Sequence, residues 1–205
     1  MQDIPLGPGR KIPAGSKVAG RIVEVVPASS GQEARVALQF DKVILRHQAM
    51  AITTNLRAVA GFMAVLDAQT PPIGPSESDV YDWLTTVQIG GDVVYGKGGI
   101  VTAADNPNLI VGKEMHGGVL GKVTAKEGTA CRGAIDGNDQ PQALWVFSTS
   151  ACGTYGLGHI AIAYAGRTDP DGVIVLTSDR GDLKIAAGAG LLLRVIEASK
   201  GNEEK

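Results

Sequence analysis

Two cysteines, Cys131 and Cys152, are the whole thiol inventory of this chain, and two chemistries are open to them. Bridged, they clasp a Gly-rich loop to a strand and mark an oxidising compartment. A loop of this size contributes about 3 kcal/mol in the chain-entropy account of disulfides. Reduced, one of them would serve as a nucleophile or a metal ligand. The spacing is wrong for a zinc ribbon and no C-x-x-C occurs. No base, ligand spacing or phosphate loop in the sequence recruits either thiol. The expectation is therefore a disulfide between Cys131 and Cys152, with unlinked structural thiols next and a catalytic thiol last.

The remaining candidates are weaker. His47, His116 and His159 each stand alone, with no second ligand at i+2 or i+4, and read as surface or capping residues. His116, in Met115-His116-Gly117-Gly118, is the first of them to consider for more. With Asp136 or Asp139 it would make a hydrolase pair, if the fold brings them into one cleft. The runs Asp136-Gly137-Asn138-Asp139 and Asp169-Pro170-Asp171-Gly172 resemble pieces of calcium loops. Neither has the terminal Glu of an EF-hand, so both read as turns, with Asp136 and Asp139 as weak metal candidates. Gly96-Lys97-Gly98-Gly99 and Gly117-Gly118-Val119-Leu120-Gly121-Lys122 do not complete a phosphate loop, because Val123 follows Lys122. Trp83 and Tyr81 are candidates for a carbohydrate- or ligand-binding face, whereas Trp145 sits in an apolar run and reads as core. No nucleophile elbow is present. The reading leans away from an enzyme, and no cofactor or metal is expected.

The elements that must position these residues are strands. Of 205 residues, 44% are hydrophobic, only 20% charged and 4% aromatic, and 28 are Gly. That mixture excludes a disordered chain and favours β structure. Strand patterns run from Lys17 to Val26, with Val18, Ile22 and Val26 expected half-buried, and from Ala34 to Phe40, where Val36, Leu38 and Phe40 share a face. Val43 to Leu45 and Ala51 to Leu56 continue a series whose turns fall about every ten residues, as in barrels and sandwiches. Ala58 to Ala68 is ambiguous and predicts a short helix weakened by Gly61 and two valines. Ser78 to Leu84 reads as an N-capped helical turn. Short strands bounded by Gly or Asn-Pro then run to Val111. The C-terminal third predicts core strands at 143–147, 160–164, 173–177 and 191–196, plus a short strand Leu183-Lys184-Ile185.

These elements predict an all-β fold: a small barrel or sandwich with an inserted hairpin-rich region and at most one or two short helices. The chain divides into an irregular arm (1–11), one β domain (12–198) with an insertion at 57–115, and a polar tail (199–205). One internal echo bears on architecture. Residues 12–23 align without gaps on 185–196, with Ile, Ala, Gly and Arg at matching places and a tight turn feeding each strand. It predicts two similar strands, neighbours closing a barrel, or simply two of the turn-strand pieces that any β protein holds.

A net charge of −2 with scattered cations gives no general attraction to nucleic acid or anionic membrane. No run is long and apolar enough to make a transmembrane helix. Met1-Gln2-Asp3-Ile4-Pro5 lacks the basic start and apolar core of a signal peptide, which fits a cytosolic protein or a mature exported chain equally.

The segment from Ala130 to Phe147, with Cys152-Gly153-Thr154-Tyr155-Gly156 and Ala165-Gly166-Arg167-Thr168-Asp169-Pro170, resembles a group of uncharacterised secreted β-rich proteins of soil bacteria. They share an opening like Ile12-Pro13-Ala14-Gly15-Ser16 and an ending like Ala189 to Val195. The opening, with Arg35 to Ile44, also looks like the β-barrel domain of TrbI-type conjugation channel proteins over about the first 45 residues. The first resemblance carries no activity. The second implies a periplasmic barrel and ring assembly. The resulting expectation is an exported protein of the periplasm, cell surface or extracellular space. Its expected role is structural or interactive and non-enzymatic, through homo-oligomers or an envelope partner. A carbohydrate- or small-ligand-binding module is the alternative, and a hydrolase the third.

Overall fold

The computed structural model describes residues 4–7, 10–45, 48–69, 83–96, 100–103, 106–115, 118–121, 142–143, 146–148, 150–163 and 171–198. The fold is all-β, mostly strands, with one short helix among the described residues. Its larger sheet is a nearly closed barrel built on two long strands, β4 (Ala34–Leu45) and β5 (Gln48–Ala60). Beyond the tight connection between them, Lys42 to Leu45 pair antiparallel with Ala51 to Gln48. Past that point the strands diverge and each takes new partners. The first half of β4 pairs with β14 (Ile174–Ser178), which pairs with β13 (Ile160–Ile162). The second half of β5 pairs in parallel with β12 (Gly153–Tyr155), which lies beside β13 and nearly closes the circuit. Two further strands hang on this frame: β3 (Lys17–Val26) on β4 and β15 (Gly190–Ala198) on β5. At the N-terminal end, β1 (Ile4–Gly7) pairs with β2 (Arg10–Ile12).

The alternation of β4 builds the barrel interior. Leu38 and Phe40 point inward with Leu56 and Val59 of β5, Ile174 and Leu176 of β14, and Ile160 and Ile162 of β13. Leu183 and Ile185 join this cluster without forming the strand expected of them. Among the described residues their backbone joins no ladder, and their side chains pack against the apolar interior instead. A second cluster lies between Ala58 and Ala60 of β5, Leu192 of β15 and Val65 of α1 (Phe62–Gln69), and takes in Ile89, Val146, Phe147 and Ala151. Through it, and through a parallel bridge from Ile89 to Phe147, the barrel meets a separate six-stranded antiparallel meander. That meander runs β6 (Trp83–Gln88), β7 (Gly91–Gly96), β8 (Ile100–Ala103), β9 (Asn106–Met115), β10 (Gly118–Gly121) and β11 (Gln142–Ala143).

Two local expectations change. The helix expected over 58–68 begins only at Phe62, because residues 58–60 are claimed by the ladder to β12 and β15 and Gly61 makes the switch. Trp83 and Leu84, expected in a helical turn, open β6 opposite Gly96 and Tyr95.

The internal echo is a real structural repeat. Ser16 N–H donates to Pro13 O at 3.1 Å, and at the aligned positions Ala189 N–H donates to Ala186 O at 3.2 Å. The aligned glycines Gly15 and Gly188 have φ of 81° and 86°, the left-handed backbone that the third residue of a type II turn needs. The strands start in step, at Lys17 and Gly190. They are not neighbours, however: one lies on β4 and the other on β5. The repeat dresses the two long strands alike and does not close the barrel.

Candidate interaction surface

β3 departs most from what alternation predicts. Val18, Ile22 and Val26 were the residues expected half-buried, yet Val18 is 45% exposed and Ile22 64%, while Val26 is intermediate. Val23 and Val25 are also 49% and 61% exposed. Among the described residues β4 is the sole strand paired with β3, so its other edge and much of both faces lie open. Long apolar edges of this kind are associative, since they present unused N–H and C=O groups beside uncovered hydrophobic side chains.

Two bulges shape this strand, one between Ala19 and Gly20 and one between Ile22 and Glu24. Each sharpens the local twist. At the first, β3 lies so close to β4 that a Cβ on Gly20 would stand 2.3 Å from Gln39 O. The second leaves Val23 without a register partner and returns Glu24 to the face that carries Arg21. That face is ionic. Arg21 Nη1 donates to Asp41 Oδ2 at 2.9 Å and Nη2 donates to Gln39 Oε1 at 2.6 Å. Arg35 Nε lies 3.3 Å from Glu24 Oε2. On the other face Ile22 registers with Leu38 and Val25 with Val36, continuing the apolar lining past its last cover.

A second exposed apolar group, Phe62, Met63 and Leu66, lies on α1. The Phe62 ring lies against the turn at Gly188, where a Cβ would fall 2.6 Å from Phe62 Cδ2.

The buried polar residue that the sequence reading missed is Arg57. It is the extra residue where β5 bulges against β15: Leu56 pairs with Leu193 and Ala58 with Leu192. The bulge turns the side chain into the protein, where it is 3% exposed and Nε donates to Ala151 O at 2.8 Å. Burial lowers its pKa to about 10, opposed by attraction to Tyr155 and reinforced by repulsion from Arg194. One cation inside Leu56-Arg57-Ala58-Val59-Ala60 was the available signal. Tyr155 fixes the adjacent loop, accepting from Cys152 N–H at 2.9 Å and donating to Cys152 O at 3.0 Å. Asn55 Oδ1, Gln88 Oε1 and Thr102 Oγ1 are buried and find no hydrogen-bond partner among the described residues.

Most of the residues singled out for chemistry fall outside the described residues. Cys131, Tyr81, His47, His116, Asp136 and Asp139 lie outside the described residues, and with them the Cys131–Cys152 bridge and the His116–Asp pair. Trp83 is placed by its backbone at the start of β6. His159 Nδ1 stands 3.7 Å from Asp179 Oδ1 at an exposed site. Among the described residues no three His, Cys, Asp or Glu side chains converge as a metal site, and no helix is long and apolar enough to cross a membrane.

Compared with protein-family models, curated proteins and solved structures, the chain finds no match.

Proposed function

We propose that this chain is a non-enzymatic structural or interaction protein of the bacterial cell envelope or extracellular space, working by self-association. The observation that carries the reading is the open edge of β3, with Val18, Ile22, Val23 and Val25 uncovered along it. A single exposed aliphatic side chain has no meaning of its own; four along one edge that no other described strand shares make a surface that gains by being covered. The ionic residues beside it, Arg21, Glu24, Arg35 and Asp41, supply specificity in place of bulk stickiness. Light scattering over a concentration series tests this: mass should rise toward a defined multiple of 21.2 kDa. A constant monomer mass up to about 1 mM, a range spanning weak association, would remove the reading.

Export and the Cys131–Cys152 clasp belong to the same proposal, because a disulfide persists where the surroundings oxidise. Intact mass of protein from its native source, alkylated with and without prior reduction, tests both. Protection of both thiols until reduction is the expected result.

A further inference from the structure

Resting on the self-association reading, we propose that the partner at β3 is the β3 strand of a second copy, docked antiparallel about a two-fold axis between Ile22 and Val23. The warrant is the order of charge along the strand. Because of the bulge at Val23, Arg21 and Glu24 share one face of the sheet. Antiparallel pairing about that axis sets Arg21 of each copy opposite Glu24 of the other, so two cation–anion contacts form by symmetry. In-register parallel pairing would instead set Arg21 beside Arg21 and Glu24 beside Glu24, which is repulsive. Arg21 keeps donors to spare: two nitrogens are engaged with Asp41 and Gln39, out of five N–H groups, and its side chain is 63% exposed.

The apolar face agrees with this register. Ile22 of one copy meets the Val23 position of the other, and Val25 meets Gly20, which carries no side chain to clash with it. The pairing extends the barrel sheet across the axis and covers Ile22 and Val25, the two most exposed apolar side chains of β3. Such an interface is isologous and closes at two copies.

Sedimentation equilibrium tests the geometry with Arg21→Glu, Glu24→Arg, the double variant and an equimolar mixture of the two single variants. Wild type should be a dimer. Each single variant sets like charges opposite one another twice and should weaken dimerisation about tenfold or more. The double variant and the mixture restore both pairs, so dimer should return in each; a merely structural role for these charges predicts no rescue by mixing. Single variants that dimerise like wild type would overturn this geometry while leaving self-association standing. So would a wild-type mass well beyond two copies, which would point to another edge such as β15. A wild type monomeric at every concentration would overturn both proposals. Ile22→Lys keeps the test open if the charge variants fail to fold: its side chain is 64% exposed, and persistence of its dimer would overturn the geometry.

Discussion

Arg57 shows what a single residue costs and does in this fold. A lone cation in a strand of Leu, Ala and Val is placed at a bulge, so that its side chain leaves the ladder and reaches Ala151 O across the second core cluster. Removing it leaves a buried carbonyl without its charged donor, a loss of about 2–3 kcal/mol. Arg57→Ala should therefore lower the urea midpoint strongly, and Arg57→Lys should recover only part of it, since an ammonium cannot donate from the Nε position. The pH dependence has a definite sign. Burial lowers the native pKa well below that of the free side chain, to about 10. Below pH 10 the charge is present in both states and its desolvation is a constant cost. Above pH 10 the native state releases a proton that the unfolded chain still holds, so wild type should gain stability relative to Arg57→Met between pH 9 and 11. Paired denaturation curves at those pH values check this. The sequence held the signal for Arg57, a charge inside an apolar run, but not its meaning, because the bulge that aims it depends on the register of β5 against β15.

Among the elements, β3 separates what alternation can tell from what it cannot. Its limits, Lys17 to Val26, follow from the turn at Pro13 to Ser16 and from Pro27. Its burial does not, since a period of two assigns residues to faces without saying whether anything lies on those faces. The bulge at Gly20 is a second feature of this kind. Gly20→Ala would bring a Cβ to 2.3 Å from a backbone carbonyl that cannot swing away, so β3 must shift from β4 at a cost of about 1–3 kcal/mol. The expected outcome is a lower melting temperature and faster amide exchange along β3, with little change in β14. The helix shows a related limit: Val59 and Gly61 weakened the pattern over 58–68, and the chain resolves it by giving 58–60 to the sheet and 62–69 to α1.

At the scale of the molecule, the barrel and the meander meet, among the described residues, at an apolar cluster. The barrel holds its own interior, and the meander of β6 to β11 meets it through Ile89, Val146, Phe147 and Ala151. Phe147 is almost fully buried there, so Phe147→Ala should cost about 3–5 kcal/mol. Loss of cooperativity between barrel and meander in thermal unfolding would locate that cost at the junction. The proposed clasp acts on the same neighbourhood, because Cys152 lies between Ala151 and the parallel strand β12. Cys131→Ser should reduce stability by about 3 kcal/mol under oxidising conditions and leave stability under reducing conditions unchanged.

What the sequence determined by itself was local: an all-β chain, the turns at Gly15 and Gly188 and the strands they feed, and the inward face of β4. These follow from φ preferences and from alternation, which act over a few residues. What the tertiary structure decided was adjacency. The echo between residues 12–23 and 185–196 made two like strands, but only the divergence of β4 from β5 carried them to different partners. The apolar edge of β3 was left open by that divergence. Its exposure depends on which strands lie beside it, and among the described residues β4 alone does; no pattern within the strand records that.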